Sequence, residues 1–325
     1  MRSEILVVFP HHSSFVDQDL RILRSRFDVR EFVYERPSDR FRLLADVSKT
    51  RVVVSWFVLG YSYLICRLRG LTMTRSVLIP GGWDVESMPE FDYGEMRSAR
   101  TRRRTSYSLS HADLVLPVSG FTMKRVQYWA PQAPMELLHH GFDTEMFVPG
   151  ARRREGVITV SPISRGTWHL KGLSLFVEAA RRMPDVPFTI VGDISEATGL
   201  LAKLPENLHL LGALPHSDLV GVYQQARVYA QLSAVESFGC ALAEAMLCAC
   251  IPVVTDRGAL PEVVGGVGER VTYGDIEGTV DALRRGLDDE SHRLTPRERI
   301  SQLYPLGRRA ARLLALLEPF VGGSR

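Results

Sequence analysis

Short apolar runs alternate with amphipathic segments through the first half of the chain. Residues 17–27 lie between the first two runs and place Leu20, Leu23 and Phe27 at helical spacing. A strand, helix, strand order of this kind predicts a parallel sheet covered by helices. The runs that predict strands in this half are residues 4–9, 29–34, 51–54, 76–79 and 114–117.

The second half repeats this pattern. Leu173, Phe176, Val177 and Ala180 share one face of a predicted helix that follows the strand at 157–160. The remaining predicted strands are residues 188–191, 208–211, 228–232 and 251–255. We therefore expect an α/β protein with two Rossmann-like, doubly wound domains.

The domain boundary is expected near residue 150. Residues 150–156 are short, polar and rich in arginine, which is typical of a linker. This predicts an N-terminal domain over residues 1–150 and a C-terminal domain over 151–306. A last segment, 307–325, carries Leu313 and Leu317 on one helical face and its arginines elsewhere.

Composition restricts the class of protein. The chain has 325 residues, 45% of them hydrophobic and 24% charged, which suits two ordinary globular domains. A net charge of +3 is too balanced to indicate nucleic acid as a partner. The four cysteines form no metal-ligand pattern and predict buried packing in a reducing compartment. With no recognisable signal peptide or membrane span, we expect a cytoplasmic protein.

The stretch from residue 236 to 252 carries the clearest chemical signal. Glu236 precedes Ser237, Phe238 and Gly239 in a turn, and Glu244 follows inside a predicted helix at 240–247. A helix N-terminus offers unpaired N–H groups and a partial positive charge, which suit a diphosphate. Two carboxylates beside it could hold the hydroxyls of a sugar and of a ribose.

This stretch resembles the donor-binding signature of the retaining family-4, or group 1, glycosyltransferases. The resemblance implies the GT-B architecture, in which two Rossmann-like domains face each other across a cleft that holds a nucleotide sugar. It also implies that the last helix crosses back to the N-terminal domain. Further matches are His140-Gly141-Phe142-Asp143 before the linker and the segment Gly258 to Val264, in which Glu262 is expected to be structural.

The resemblance assigns roles within the second domain. Arg165 and Lys171 match the cations that neutralise the donor diphosphate. Glu236 matches the residue that positions the donor sugar, and Glu244 matches the acid that binds the ribose. Because the leaving diphosphate gains charge as the glycosidic bond breaks, the reaction needs such cations. The remaining donor-binding residues expected in this domain are Ser237, Phe238, Gly239, Gly192 and Leu211.

The first domain departs from the family pattern. Gly82 and Asp84 match the family's His-Gly-x-Asp sequence and are expected near the donor, but Gly81 stands where the histidine would be. The first loop holds His11 and His12, expected to be exposed, instead of glycines. Residues 17–19 match the D-x-D metal pattern formally, but their position at a helix start favours dipole stabilisation over a metal site.

A basic cluster follows in the same domain. Its five arginines predict either a solvated helix or a contact for an anionic lipid surface or a phosphate-bearing acceptor. They are Arg97, Arg100, Arg102, Arg103 and Arg104.

The expected function is transfer of a hexose, with retention, from a nucleoside-diphosphate sugar to a hydroxyl acceptor that is a glycan, a lipid-linked molecule or a small molecule. The resemblance implies no metal and no cofactor beyond the donor. Two alternatives remain open: a GT-B epimerase of a nucleotide sugar, and a catalytically degenerate nucleotide-binding or scaffold protein.

Overall fold

The structure is a computed structural model that describes residues 4–151, 154–197, 199–200, 204–289 and 295–322. The chain divides into two compact units. The first comprises the chain up to Gly141 and the segment that begins at Gly307, and the second runs from Phe142 to Leu306. Of the predicted linker, residues 152–153 lie outside the described residues.

The first unit is built on a five-stranded parallel sheet in the order β2-β1-β3-β4-β5. Its strands other than the edge strand β2 are mostly apolar because helices cover a parallel sheet on both faces, whereas β2 carries Asp28, Arg30 and Glu31. The strands are β1 (Glu4–Phe9), β2 (Asp28–Val33), β3 (Val52–Trp56), β4 (Arg75–Ile79) and β5 (Leu114–Val115). The helices are α1 (Ser14–Arg24), α2 (Asp39–Val47), α3 (Gly60–Thr72), α4 (Ala99–His111) and α5 (Gly120–Trp129).

The second unit holds a six-stranded parallel sheet in the order β11-β10-β9-β6-β7-β8. Its strands are β6 (Val157–Val160), β7 (Phe188–Val191), β8 (Leu208–Leu210), β9 (Val228–Gln231), β10 (Ile251–Thr255) and β11 (Glu269–Val271). Its helices are α6 (Arg165–Leu170), α7 (Leu173–Arg182), α8 (Leu219–Gln225), α9 (Cys240–Leu247), α10 (Leu260–Val264), α11 (Ile276–Asp288) and α12 (Thr295–Leu303).

A last helix, α13 (Leu306–Gly322), packs in the first unit. Leu313 and Leu317 are buried as the pattern predicts, but Arg309 is buried with them. The reason is a carboxylate partner: the Arg309 guanidinium donates to both oxygens of Asp19, at 2.7 Å each. Trp56 Nε1 donates to the same carboxylate at 3.1 Å. The helix therefore adds a charged anchor to its apolar face.

Predicted and observed elements agree best where a strand is buried on both faces. β1, β6, β7 and β10, together with α9, have the predicted bounds. The predicted basic helix begins later than expected, because Glu95–Arg97 forms a single 3-10 turn and α4 begins only at Ala99.

Candidate active site

The loop after β9 brings Glu236 to the start of α9. Gly239, the residue before the helix, has a φ of 94°, a conformation that favours glycine. A second glycine fits closely against the loop: a Cβ on Gly258, where φ is +61°, would lie 2.3 Å from the carbonyl oxygen of Glu236. Ala259 N–H also donates to that oxygen at 2.8 Å. The backbone of Glu236 is thus held in place by the next loop.

The carboxylate of Glu236 is oriented by three donors on a single oxygen. Its Oε1 accepts from Lys171 Nζ at 2.6 Å and from Gln231 Nε2 and Ser233 Oγ at 3.1 Å each. Tyr229 Oη donates to Gln231 Oε1 at 3.0 Å, which fixes the amide. Oε2 accepts no hydrogen bond from a described residue. One oxygen is therefore committed to the protein, and the other retains its capacity to accept hydroxyl groups.

The two predicted cations differ in their surroundings. Lys171 uses one of the three N–H groups of its ammonium on Glu236, and the ammonium donates to no other described residue. Arg165, the first residue of α6, is exposed and forms no ion pair within the described part of the chain. Both keep donors that an anionic ligand could take.

Glu244 points from α9 into a more enclosed environment. Its Oε1 lies 2.7 Å from His216 Nε2, and its Oε2 accepts from Tyr223 Oη at 3.4 Å. The glutamate side chain is 7% exposed, whereas that of His216 is 42% exposed. A hydroxyl ligand would therefore reach Glu244 from the side on which His216 meets solvent.

The other residues predicted to bind the donor in this unit follow strands β7, β8 and β9. Phe238 is buried, with its ring centroid 5.7 Å from that of Phe142. A Cβ on Gly192 would lie 2.0 Å from the Ser161 carbonyl oxygen, so this glycine permits close contact between the loops after β6 and β7. Leu211 is exposed just after β8, and Ser237 is half-buried beside Glu236.

In the first unit, Asp84 holds two loops together. Its carboxylate accepts from the backbone N–H of Val58 at 2.6 Å and of Gly82 at 2.7 Å. The side chain is fully buried, and burial raises the pKa of Asp84 to about 6. Its two oxygens are therefore engaged by the loops that follow β3 and β4.

Gly81 lies against an aromatic ring. A Cβ at position 81 would meet Phe57 Cε1 at 2.2 Å, so the ring occupies the space that a side chain there would need. Phe57 itself has a φ of 62°, which is uncommon for a bulky residue. The space that a histidine side chain at position 81 would need is thus filled by Phe57.

The first loop of this unit has engaged side chains. His11 and His12 are exposed as expected; the ring of His11 stacks on Phe57, and His12 Nδ1 lies 2.6 Å from Asp17 Oδ1. That contact raises the pKa of His12. Among the described residues, no group of three or more metal-ligating side chains could hold an ion, and Asp19 is committed to Arg309.

Sequence reasoning missed three residues that shape the site. Gln231 and Ser233 orient Glu236, and His216 contacts Glu244. Gln231 left a signal, because it is an amide within an otherwise apolar strand. His216 left none beyond a histidine before a short helix, because the contact joins residues far apart in the chain.

The second unit matches a known protein family. Residues 149–302, just under half of the chain, match the family model described as glycosyl transferases group 1. The predicted resemblance to that group is thereby confirmed. Solved structures with the GT-B fold are similar to this chain over both units. Each unit is a parallel sheet with helices, as that fold requires.

Two solved structures illustrate this fold. The chain is similar to sucrose-phosphate synthase from Thermosynechococcus elongatus, with a TM-score of 0.84, 16% identity and coverage of 99% of this chain and 100% of that one. It is also similar to HepE from Anabaena in complex with UDP-glucose, with a TM-score of 0.79, 15% identity and coverage of 97% and 99%.

The curated relatives match over a shorter range. A phosphatidylinositol N-acetylglucosaminyltransferase subunit of Homo sapiens is 28% identical over 54% of this chain and 38% of its own length. D-inositol 3-phosphate glycosyltransferase of Corynebacterium urealyticum is 29% identical over 63% of this chain and 56% of its own length. The chain thus spans about half the length of these relatives. None of the helices within the described residues is long and apolar enough to cross a membrane.

Proposed function

We propose that the chain is a retaining glycosyltransferase that moves a hexose from a nucleoside-diphosphate sugar to a hydroxyl acceptor. The observation that carries this proposal is the asymmetry of Glu236. Three donors hold Oε1 while Oε2 stays able to accept, and this polarity suits a residue that binds sugar hydroxyls. The UDP-glucose bound by HepE, a protein of the same fold, supports a nucleotide sugar as the donor class.

The donor diphosphate would lie against Lys171, Arg165 and the start of α9. As the glycosidic bond breaks, negative charge develops on the departing phosphate, and fixed cations stabilise that charge without reorganisation. The N–H groups at the start of α9 add partial positive charge at the same place. Neither a metal nor a cofactor is part of this proposal, because side-chain cations and the helix dipole supply the charge.

Glu244 would bind the ribose. Its two oxygens are already arranged by His216 and Tyr223, so a ribose hydroxyl would donate to a carboxylate of fixed orientation. His216 would lie at the rim of this contact, since its side chain is the exposed member of the pair.

The acceptor remains a hydroxyl compound of glycan, lipid-linked or small-molecule type. Two relatives with inositol-containing names support a polar, phosphate-bearing acceptor as the first class to screen. We propose that the protein acts in the cytoplasm and contacts a membrane at its surface.

Thermal denaturation with a nucleotide panel tests the donor assignment. UDP, GDP, ADP and dTDP and their sugars are each added to the protein, to Glu244→Gln and to Glu269→Gln, a control that removes a partly exposed carboxylate paired with Arg285. A true donor at a hundred times its dissociation constant stabilises the folded state by about 2.7 kcal/mol. We expect the stabilisation to persist in the control and to fall in Glu244→Gln.

Two outcomes would favour the alternatives. Stabilisation by a nucleotide sugar, with conversion of that sugar but no product joined to any acceptor, would identify an epimerase. Binding of a nucleotide with neither conversion nor transfer would identify a degenerate binding protein. If no nucleotide stabilises the protein, the donor-site assignment fails.

A further inference from the structure

Two neighbouring helices of the first unit form a strongly basic outer surface. Helices α3 and α4 pack side by side, and neither contains an acidic residue. Their positive side chains are Arg67, Arg69, Arg100, Arg102, Arg103 and Arg104. Charge is therefore concentrated on this part of a protein whose net charge is only +3.

The arginines of the predicted basic cluster are not equivalent. Arg97 is neutralised by Asp92 and also donates to the Gly94 carbonyl oxygen, so it belongs to the turn before α4. The side chains of Arg100 and Arg103 are exposed and form no hydrogen bond or ion pair with a described residue. Two guanidinium groups are thus left without compensation inside the unit.

Two more guanidinium groups are held over an aromatic ring. Arg104 of α4 lies 5.5 Å from the ring centroid of Tyr63 on α3, and Arg67 lies 6.0 Å from the same centroid. Cation–π contact orients a guanidinium without neutralising it. The seam between the helices therefore presents fixed positive charge.

Exposed aliphatic side chains continue this surface. Leu71 follows Arg67 by about one helical turn, which places the two on one face of α3. Leu71 is 83% exposed, and Met73, which ends the helix in a left-handed conformation, is 85% exposed. Isolated exposed apolar residues are common, but two at the end of a helix that also carries the exposed Arg67 have the chemistry of a membrane interface.

We propose that this basic surface, comprising Tyr63, Arg67, Leu71, Met73, Arg100, Arg103 and Arg104, docks the protein on an anionic lipid membrane. The arginines bind lipid phosphates, and Leu71 and Met73 enter the headgroup region. A nucleic acid would engage the same cations but would have no use for the two aliphatic side chains. Among anionic macromolecular surfaces, the lipid bilayer therefore fits best.

The inference does not depend on the donor chemistry. All residues of the basic surface belong to the first unit, whereas the Glu236 and Glu244 site belongs to the second. Membrane binding can be measured without any sugar transfer. Failure of one proposal is therefore distinguishable from failure of the other.

Flotation of the full chain with lipid vesicles provides the test. Neutral phosphatidylcholine vesicles are compared with vesicles in which phosphatidylglycerol replaces part of the phosphatidylcholine, at low and at high salt. The variants are Arg100→Gln with Arg103→Gln, and Leu71→Ser with Met73→Ser. The matched control is Arg21→Gln with Arg270→Gln, which removes the same charge from exposed positions on α1 and β11.

We expect binding to anionic vesicles alone, weakened by salt. Loss of an arginine near such a surface costs roughly a fivefold drop in partitioning, so the double variant should bind about 25-fold less well. The Leu71 and Met73 variant should also bind less well, and the control should be unchanged apart from a small general effect of charge.

Three results would overturn the proposal. The folded protein could fail to bind anionic vesicles, or the control could lose as much binding as the Arg100 and Arg103 variant. Finally, single-stranded RNA could bind with the same arginine dependence while the Leu71 and Met73 variant keeps its affinity for vesicles. That last result would identify a nucleic-acid surface instead.

Discussion

In both parallel sheets the first strand lies between two neighbours, β1 between β2 and β3, and β6 between β9 and β7. Loops diverge at such a point, and ligands of open α/β sheets bind beside the carboxyl ends of the strands. In the second unit the loop after β9 carries Glu236, and Lys171 follows the short helix α6 that comes after β6. In the first unit the loops after β1 and β3 carry His11 and Phe57, whose rings stack.

The difference shows how each unit uses its charged groups. The first unit commits its buried charges to holding the fold together, as Asp84 does between two loops and Asp19 does with Arg309. The second unit keeps hydrogen-bonding groups that can still bind a ligand, such as Oε2 of Glu236 and the ammonium of Lys171. Two parallel sheets of similar but not identical strand order thus support a closed polar network in the first unit, and hydrogen-bonding groups that can still bind a ligand in the second.

The largest expected effect is a loss of stability in the variant Arg309→Met, which tests the buried charge network of the first unit. Both partners of the Arg309 and Asp19 pair are about 1% exposed, so the variant leaves a buried carboxylate uncompensated. We expect the free energy of unfolding to fall by about 3–5 kcal/mol, measured by urea denaturation with tryptophan fluorescence. Arg312→Met on the same helix breaks an exposed pair with Glu136 and should cost about 0–1 kcal/mol. Equal losses of stability in the two variants would show that the buried pair of Arg309 and Asp19 is not a special anchor.

A pH effect of intermediate size is expected from Asp84. Its pKa is about 6 in the folded protein and 3.8 without the fold, so between these values the folded state binds more protons than the unfolded state. Stability from this group is therefore fully present below pH ~4 and lost as pH rises to ~6, by about 1.4 kcal/mol per pH unit.

Comparison with Asp84→Asn isolates that contribution. Urea denaturation of both proteins at a series of pH values should show the stability of the unsubstituted protein falling relative to the variant between pH ~4 and ~6, then running parallel. A difference that does not change with pH would mean that Asp84 keeps an ordinary pKa.

A smaller effect is expected when the family's histidine is restored. Gly81→His places a side chain where the Phe57 ring lies, and overpacking of this kind costs about 1–3 kcal/mol. In a Phe57→Ala background the same substitution should cost less, because the space is free. Denaturation of all four proteins gives the coupling energy, and additive costs would contradict the predicted contact.

The smallest effect on stability is expected in the second unit. Lys171→Met breaks a partly exposed pair with Glu236, and the free energy of unfolding should change by no more than about 1 kcal/mol. Affinity for the donor, measured by calorimetry, should nevertheless fall by about tenfold or more, because a charged hydrogen bond is worth about 1.5–3 kcal/mol. Lys124→Met, an exposed lysine of the first unit, should change neither quantity.

Elements with a strong local pattern could be predicted. The central strands of both sheets are nearly continuous apolar runs, and α9 is a run of good helix formers after a glycine. Helices α2, α3, α6, α11 and α12 were not predicted, nor was strand β11. Helix α3, for example, mixes tyrosine, cysteine and arginine without clear periodicity, because its exposed face keeps apolar residues such as Leu71.

The candidate site was only partly predictable. Glu236 and Glu244 stand in one local segment, so their placement around the start of α9 follows from chain geometry. Their partners come from elsewhere: Lys171 from the loop after α6, and His216 from the segment before α8. A linear pattern of residue types contains no distances across the sheet, and such contacts could not be found.

The sequence by itself determined two parallel α/β units, the glycine turn and helix that carry the acidic residues, and the resemblance to group 1 glycosyltransferases. These features depend on short-range periodicity and on residue types at close spacing. Only the tertiary structure decided that Arg309 is a buried anchor, that Phe57 fills the space beside Gly81, and that one oxygen of Glu236 is committed while the other is not. The physical reason is that burial and hydrogen-bond partners depend on which distant segments pack together.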